Sequence, residues 1–251
     1  MSRNGYDRDR AAIGPHAVKL SGRFTVFLVF AIGLMVVYAT DQILPATSPY
    51  QASMRVWLAA RATGLAGLVL LTATVVLGLV LSHPEQANWK QGKRIFPWHQ
   101  SLWVFVLAFI VVHMISLVLD PYAGVGIGGA LIPGLSEYRS APVAVGVIAL
   151  YALLITGLTA RYTRLLPNGI WLKLHRFSAV VLALAWVHGV MAGTDTAALR
   201  PIYWAIGPTV LAAAAYRYWV VRQQRAGRRP AASTIPVPIS EDHRVEPHPA
   251  P

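Results

Sequence analysis

Six apolar stretches dominate this chain, and each is close to the length a helix needs to cross a bilayer. They run approximately over Phe24–Leu44, Val56–Ser82, Trp98–Leu119, Pro142–Ala160, Trp171–Ala192 and Pro201–Val221. A helix rising 1.5 Å per residue needs about 20 residues to span a hydrocarbon core of about 30 Å. Inside lipid every backbone N–H and C=O must be bonded within the protein, so repeated stretches of this length favour helices. Of the residues, 55% are hydrophobic and 13% charged, the latter about half the share of an average soluble domain. The expected fold class is all-α, an integral membrane bundle of six helices.

The basic residues set an orientation. Eighteen Lys and Arg flank one side of the six stretches, while only Arg55, Arg61, Arg139 and Arg200 fall on the other. Lys and Arg accumulate on the cytoplasmic side of membrane proteins, so both termini are expected in the cytoplasm of a multi-pass protein of the cell membrane. This placement accounts for the net charge of +12 better than a nucleic-acid partner does. A basic start before a short apolar run also has the form of a signal peptide, which would leave five spans with their orientation unchanged. Residues 1–20 form a polar tail, 21–221 the bundle, and 222–251 a tail rich in Pro, Arg and Ala that is expected to be disordered. No room is left for a flavin or nicotinamide domain. The chain has no cysteine, which excludes disulfides, iron–sulfur ligation, thiolate nucleophiles and covalent haem attachment through C-x-x-C-H.

Four histidines stand out against this apolar background. WHQSLWVFVLAFIVVHM carries His99 and His113, and LHRFSAVVLALAWVHG carries His175 and His188. The intervals of 14 and 13 residues correspond to about 21 Å and about 20 Å of helix. The third and fifth spans both run from cytoplasm to exterior, so His99 and His175 share an inner level and His113 and His188 an outer one. A lone intramembrane histidine often just hydrogen-bonds a neighbouring helix. Two matched pairs suit a different role, since neutral imidazoles on opposite sides of an iron are axial haem ligands. Two noncovalent b-type haems, stacked across the membrane, are the expected cofactors. The helical phase fits one span better than the other. His113 falls within about 40° of the face of His99, whereas His188 falls about 140° from His175 on an ideal helix. Either the fifth span has a tightened turn or its haems approach from different directions.

This spacing on alternate helices resembles the ferric reductase-like transmembrane domain, which includes ferric reductases, NADPH oxidases and the haem-binding membrane subunit of bacterial methionine sulfoxide reductase systems. The resemblance covers about Arg61 to Thr196, with RATGLAG, WHQSLW, WLKLHRFS and HGVMAGTDT as landmarks. It implies that His99 and His175 bind the inner haem, and His113 and His188 the outer. Oxidases and ferric reductases of this kind commonly continue into a cytoplasmic flavin and nicotinamide domain. Its absence here implies a quinol or a separate flavoprotein as donor.

Haem propionates are anionic and seek cations. Arg61 is the outer candidate and Arg176 the inner, with Lys93 and Arg94 better explained as cytoplasmic anchors. Gly64, Gly67 and Gly78 admit a porphyrin face or simply close helix packing. Phe105, Phe109 and Trp186 lie between the two levels, as packing or as walls between haems. Asp120, Tyr138, Arg139, Asp195 and Thr196 fall in exterior connections, where they either position an acceptor or fold the rim. GVGIGG, from Gly124 to Gly129, matches G-x-G-x-x-G but follows a membrane helix rather than a strand, which argues against dinucleotide binding. His16, His83, His243 and His248 lack matched partners.

The leading expectation is transmembrane electron transfer from a cytoplasmic or quinol donor to an exterior acceptor or partner protein, an oxidoreductase role. Two other classes compete with it: a structural or sensory haem-binding subunit, and a haem-free transporter using histidines as a proton relay.

Overall fold

The computed structural model describes residues 22–43, 46–82, 90–163, 166–167, 170–193 and 197–227. Among these the secondary structure is helical, with no strand. Eight helices follow one another: α1 (Gly22–Ile43), α2 (Pro49–Leu81), α3 (Lys90–Leu119), α4 (Gly126–Leu131), α5 (Ser140–Arg161), α6 (Ile170–Arg176), α7 (Ser178–Ala192) and α8 (Arg200–Gly227). Among the described residues, all six apolar stretches of the sequence lie on helices apart from the turns at Ser82 and Phe177. Four segments are long and apolar enough to cross a membrane: Pro49–Leu81, Arg94–Leu119, Ser140–Arg161 and Ile170–Ala192. The protein thus has the build of a multi-pass helical membrane protein. In α1 only Val26–Met35 forms a sustained apolar run.

The long helix α2 starts where its sequence supplies a cap. The Ser48 hydroxyl accepts from the Gln51 N–H at 3.2 Å, and Pro49 occupies the first helical position, where no N–H is needed. From there α2 packs along α3, and α5 packs along α7, as the two most extensive helix pairings. The core lies where these pairs meet. Leu68, Leu71 and Val75 of α2 join Val106 of α3, Leu153 of α5, Val181 and Leu182 of α7, and Tyr203 and Ile206 of α8. A smaller cluster fixes α1 to α3 through Val29, Val104 and Ala108. Large apolar side chains such as Phe27, Leu34, Leu211 and Trp204 are exposed, as suits a surface solvated by lipid. Hydroxyls within the helices bond their own backbone: Thr72 and Thr74 donate to the Leu68 and Leu70 carbonyls, so burial leaves neither unsatisfied.

Between α6 and α7 the fifth apolar stretch changes its winding. The Phe177 N–H donates to the Leu174 carbonyl and the Val180 N–H to the Phe177 carbonyl, both spaced three residues rather than four. Phe177 itself has ψ near −6°, well short of an ideal α-helical value. Such a turn rotates the chain by about 120° per residue instead of about 100°. The over-rotation is in the direction needed to bring His188 toward the face of His175. Of the two explanations open from sequence, the tightened turn is present.

Candidate functional site

The four histidines come together as two pairs at separate depths of the bundle. His99 of α3 and His175 of α6 have ring centroids 6.0 Å apart with planes at 89°. His113 of α3 and His188 of α7 have centroids 6.4 Å apart with planes at 79°. With metal–nitrogen bonds of about 2 Å and ring centres about 1 Å beyond each nitrogen, two imidazoles flanking one metal have centroids about 6 Å apart. Edge-to-face ring contact covers the same range, about 4.5–7 Å. The hydrogen bonds of the rings are more discriminating than their spacing.

Those bonds run to backbone carbonyls of the neighbouring helix. His113 Nδ1 lies 2.7 Å from the Ala60 carbonyl oxygen, and His99 Nδ1 lies 3.0 Å from that of Thr74, both on α2. His188 Nδ1 lies 2.8 Å from the Pro142 carbonyl oxygen at the start of α5. A carbonyl can only accept, so Nδ1 must be the protonated nitrogen in each ring. The neutral ring then keeps its lone pair on Nε2, the tautomer of a histidine prepared to bind a metal. His175 departs from this pattern. Its Nδ1 is buried with no hydrogen bond of normal length and angle, and meets the Thr156 carbonyl of α5 only as a looser hydrogen-bonding contact.

Glycines make the approach possible. A Cβ on Gly64 would stand 2.9 Å from His113 Nδ1, one on Gly78 would stand 3.2 Å from His99 Cε1, and one on Gly146 would stand 2.5 Å from His188 Nδ1. Each of these glycines lies four residues after the carbonyl that receives the ring: Ala60 and Gly64, Thr74 and Gly78, Pro142 and Gly146. The side chain one helical turn along is the one that would cover that carbonyl. Gly64 and Gly78 therefore make room for imidazoles, a role distinct from both readings open in the sequence. Gly67 does not share it, since a Cβ there would meet only Ile110 and Phe109 at ordinary contact distances. Gly146 went unnoticed in the sequence, though its place four residues after Pro142 repeats the spacing of the other two.

A cavity of about 320 Å³ adjoins the His113/His188 pair. It is mostly apolar, with Arg61, Asp120 and Tyr138 supplying polar groups to its wall. The Arg61 guanidinium also lies 5.9 Å from the centre of the Trp57 ring. Asp120 is buried; one carboxylate oxygen accepts the Tyr122 N–H at 3.0 Å, and the other is buried without a partner. Arg176 is exposed at the end of α6, beside His175 in sequence and outside this cavity.

The other residues singled out in the sequence have mainly structural surroundings. Arg139 donates to the Met191 carbonyl at 2.8 Å, and the Tyr138 hydroxyl donates to that of Ala192 at 3.2 Å. Both bonds satisfy carbonyls at the C-terminal end of α7, where a cation also complements the helix dipole. Arg139 thus folds the rim. The GVGIGG segment forms a turn and the short α4, with Gly124 and Gly126 at φ of +59° and +61°, values that favour glycine. Phe105 is exposed, Phe109 packs near Gly67, and the Trp186 indole donates to the Tyr203 carbonyl at 3.0 Å. Asp195, Thr196 and His83 lie outside the described residues, as do His16, His243 and His248; the side chain of Lys93 does too, and Arg94 is exposed. Among the described residues no three His, Asp or Glu gather as a metal-binding cluster. The chain matches no protein-family model, no curated protein and no solved structure.

Proposed function

We propose that this protein is a transmembrane electron-transfer subunit holding two b-type haems, with His99 and His175 as ligands at the inner level and His113 and His188 at the outer. The observation that carries the reading is the pair of facing histidine pairs, with three of the four rings presenting Nδ1 to a backbone carbonyl. The donor set suits haem chemically. Each pair of imidazoles would serve as the protein ligands of one haem iron, whereas a bare metal ion usually takes three or four protein ligands. Haem, when bound at each level, supplies reversible one-electron chemistry.

The remaining work belongs to the chain. The carbonyls of Ala60, Thr74 and Pro142 hold three imidazoles in one tautomer and orientation, which raises their basicity as ligands. Gly64, Gly78 and Gly146 keep these carbonyls accessible. Leu68, Leu71, Val106, Leu153 and Val181 exclude water between the two levels. Arg61 is the candidate partner for a propionate at the outer level, and Arg176 for one at the inner.

In this reading α1 and α8 complete a six-span bundle in the cell membrane with both termini cytoplasmic, as the basic residues indicate. Electrons enter from a quinol or a separate flavoprotein and leave to an exterior acceptor or partner protein. A potential negative inside favours outward movement by about 2.3 kcal/mol per 100 mV for a full crossing. The test uses proteoliposomes reduced from the cytoplasmic face by a quinol or an added flavoprotein, with an impermeant oxidant outside. The wild-type chain is expected to reduce that oxidant, and His188→Ala to abolish the transfer while inner-site reduction persists. Transfer by His188→Ala at the wild-type rate would reject the serial arrangement.

A further inference from the structure

We infer that His175 is the exchangeable ligand of the four, so that the inner site admits a small external ligand such as carbon monoxide while the outer site stays closed. The inference rests on the two-haem reading and concerns a difference between its sites. His113, His188 and His99 each bond a backbone carbonyl through Nδ1, at 2.7, 2.8 and 3.0 Å. His175 Nδ1 is buried and meets the Thr156 carbonyl only in a looser contact, outside normal hydrogen-bond geometry.

The difference has a local cause. The carbonyl facing His175 is that of Thr156. Four residues beyond it stands Ala160, where the other three sockets have glycine. The supporting helix differs too. His175 sits on the seven-residue α6, which buries no residue and ends at the Phe177 turn. His188 sits within the 15-residue α7, which buries Val181 and Leu182 in the core.

A hydrogen bond from Nδ1 makes Nε2 a stronger donor and fixes the ring, and loss of such a partner typically costs about 10–100-fold in metal affinity. The imidazole with the weakest such bond dissociates first. Exchange at His175 involves no net oxidation: its Nε2 leaves the iron and the external ligand takes the vacated position.

The experiment uses full-length protein purified with its haem, counted per chain by pyridine haemochrome, then reduced with dithionite and exposed to carbon monoxide. With two haems bound, the spectrum of one is expected to shift and the other to remain unchanged. His113→Ala, which removes an outer ligand, should keep the rapidly reacting inner signal. Ala160→Gly, which gives the Thr156 carbonyl the glycine that the other three sockets have, should slow the carbon monoxide reaction of that haem by about tenfold. Two haems with no reaction, a wild-type reaction that disappears in His113→Ala, or an unchanged rate in Ala160→Gly would each overturn the inference alone. Fewer than two haems per chain would overturn the two-haem reading and this inference with it.

Discussion

Gly146→Ala isolates the contribution of a carbonyl socket without touching a ligand. An ideal Cβ at this position would lie 2.5 Å from His188 Nδ1, 2.7 Å from Cε1 and 2.9 Å from Cγ. Carbon atoms pack at about 3.5–4 Å, so the ring must withdraw by about 1 Å or the two helices must separate. Withdrawal of that size stretches the 2.8 Å bond to the Pro142 carbonyl beyond hydrogen-bonding range. Leaving a buried donor unpaired costs about 1–3 kcal/mol, and misplacing the ligand weakens metal binding about 10–100-fold. The expected result is selective loss of the outer haem, measured by haem content and by low-temperature electron paramagnetic resonance of the oxidised protein. Gly67→Ala is the control on another helix. Its Cβ would meet Ile110 at 3.6 Å and Phe109 at 3.9 Å, so both haems should remain. If Gly146→Ala retained the outer haem with unchanged spectrum and affinity, the socket argument would fail.

Three other perturbations separate parts of the account. Gly64→Ala should weaken the outer site through His113, while Gly78→Ala, with a milder approach of 3.2 Å to His99, should have a smaller effect at the inner one; haem titration of purified protein compares them. Arg139→Ala removes bonds to the Met191 and Gly193 carbonyls and should destabilise the end of α7 by about 1 kcal/mol, seen as a lower Tm in detergent, whereas an unchanged Tm would assign Arg139 no role in folding the rim. Ser2→Cys and Ser240→Cys should both resist an impermeant thiol reagent in intact cells, and labelling of either from outside would reverse the orientation.

Much of the arrangement was legible because membrane helices leave few choices. The apolar stretches marked the long helices, and the intervals from His99 to His113 and from His175 to His188 marked the four histidines that come together in pairs. The tightened turn at Phe177 was foreshadowed only as an angular misfit. No proline or glycine occupies that turn to mark it, and its winding depends on how α6 and α7 lie against α5. The carbonyl sockets were harder to see, since a backbone acceptor leaves no side-chain signature. Their trace was indirect: Gly64 and Gly78 are 14 residues apart, the same interval as the histidines they face. Asp120 was recognised as a rim residue, but its burial against the cavity depends on the loop between α3 and α5. Sequence spacing located the four histidines, while tertiary packing decided which rings are held firmly.

The central claim is that one chain carries two bis-histidine haem sites at different depths. Quantitative haem analysis of the purified, haem-replete protein, joined to the same measurement on four single variants, tests it most directly. The wild-type chain is predicted to hold two low-spin haems. His99→Ala and His175→Ala should each deplete the same one, and His113→Ala and His188→Ala the other. A single haem in the wild-type chain, or retention of two low-spin haems in all four variants, would contradict the account.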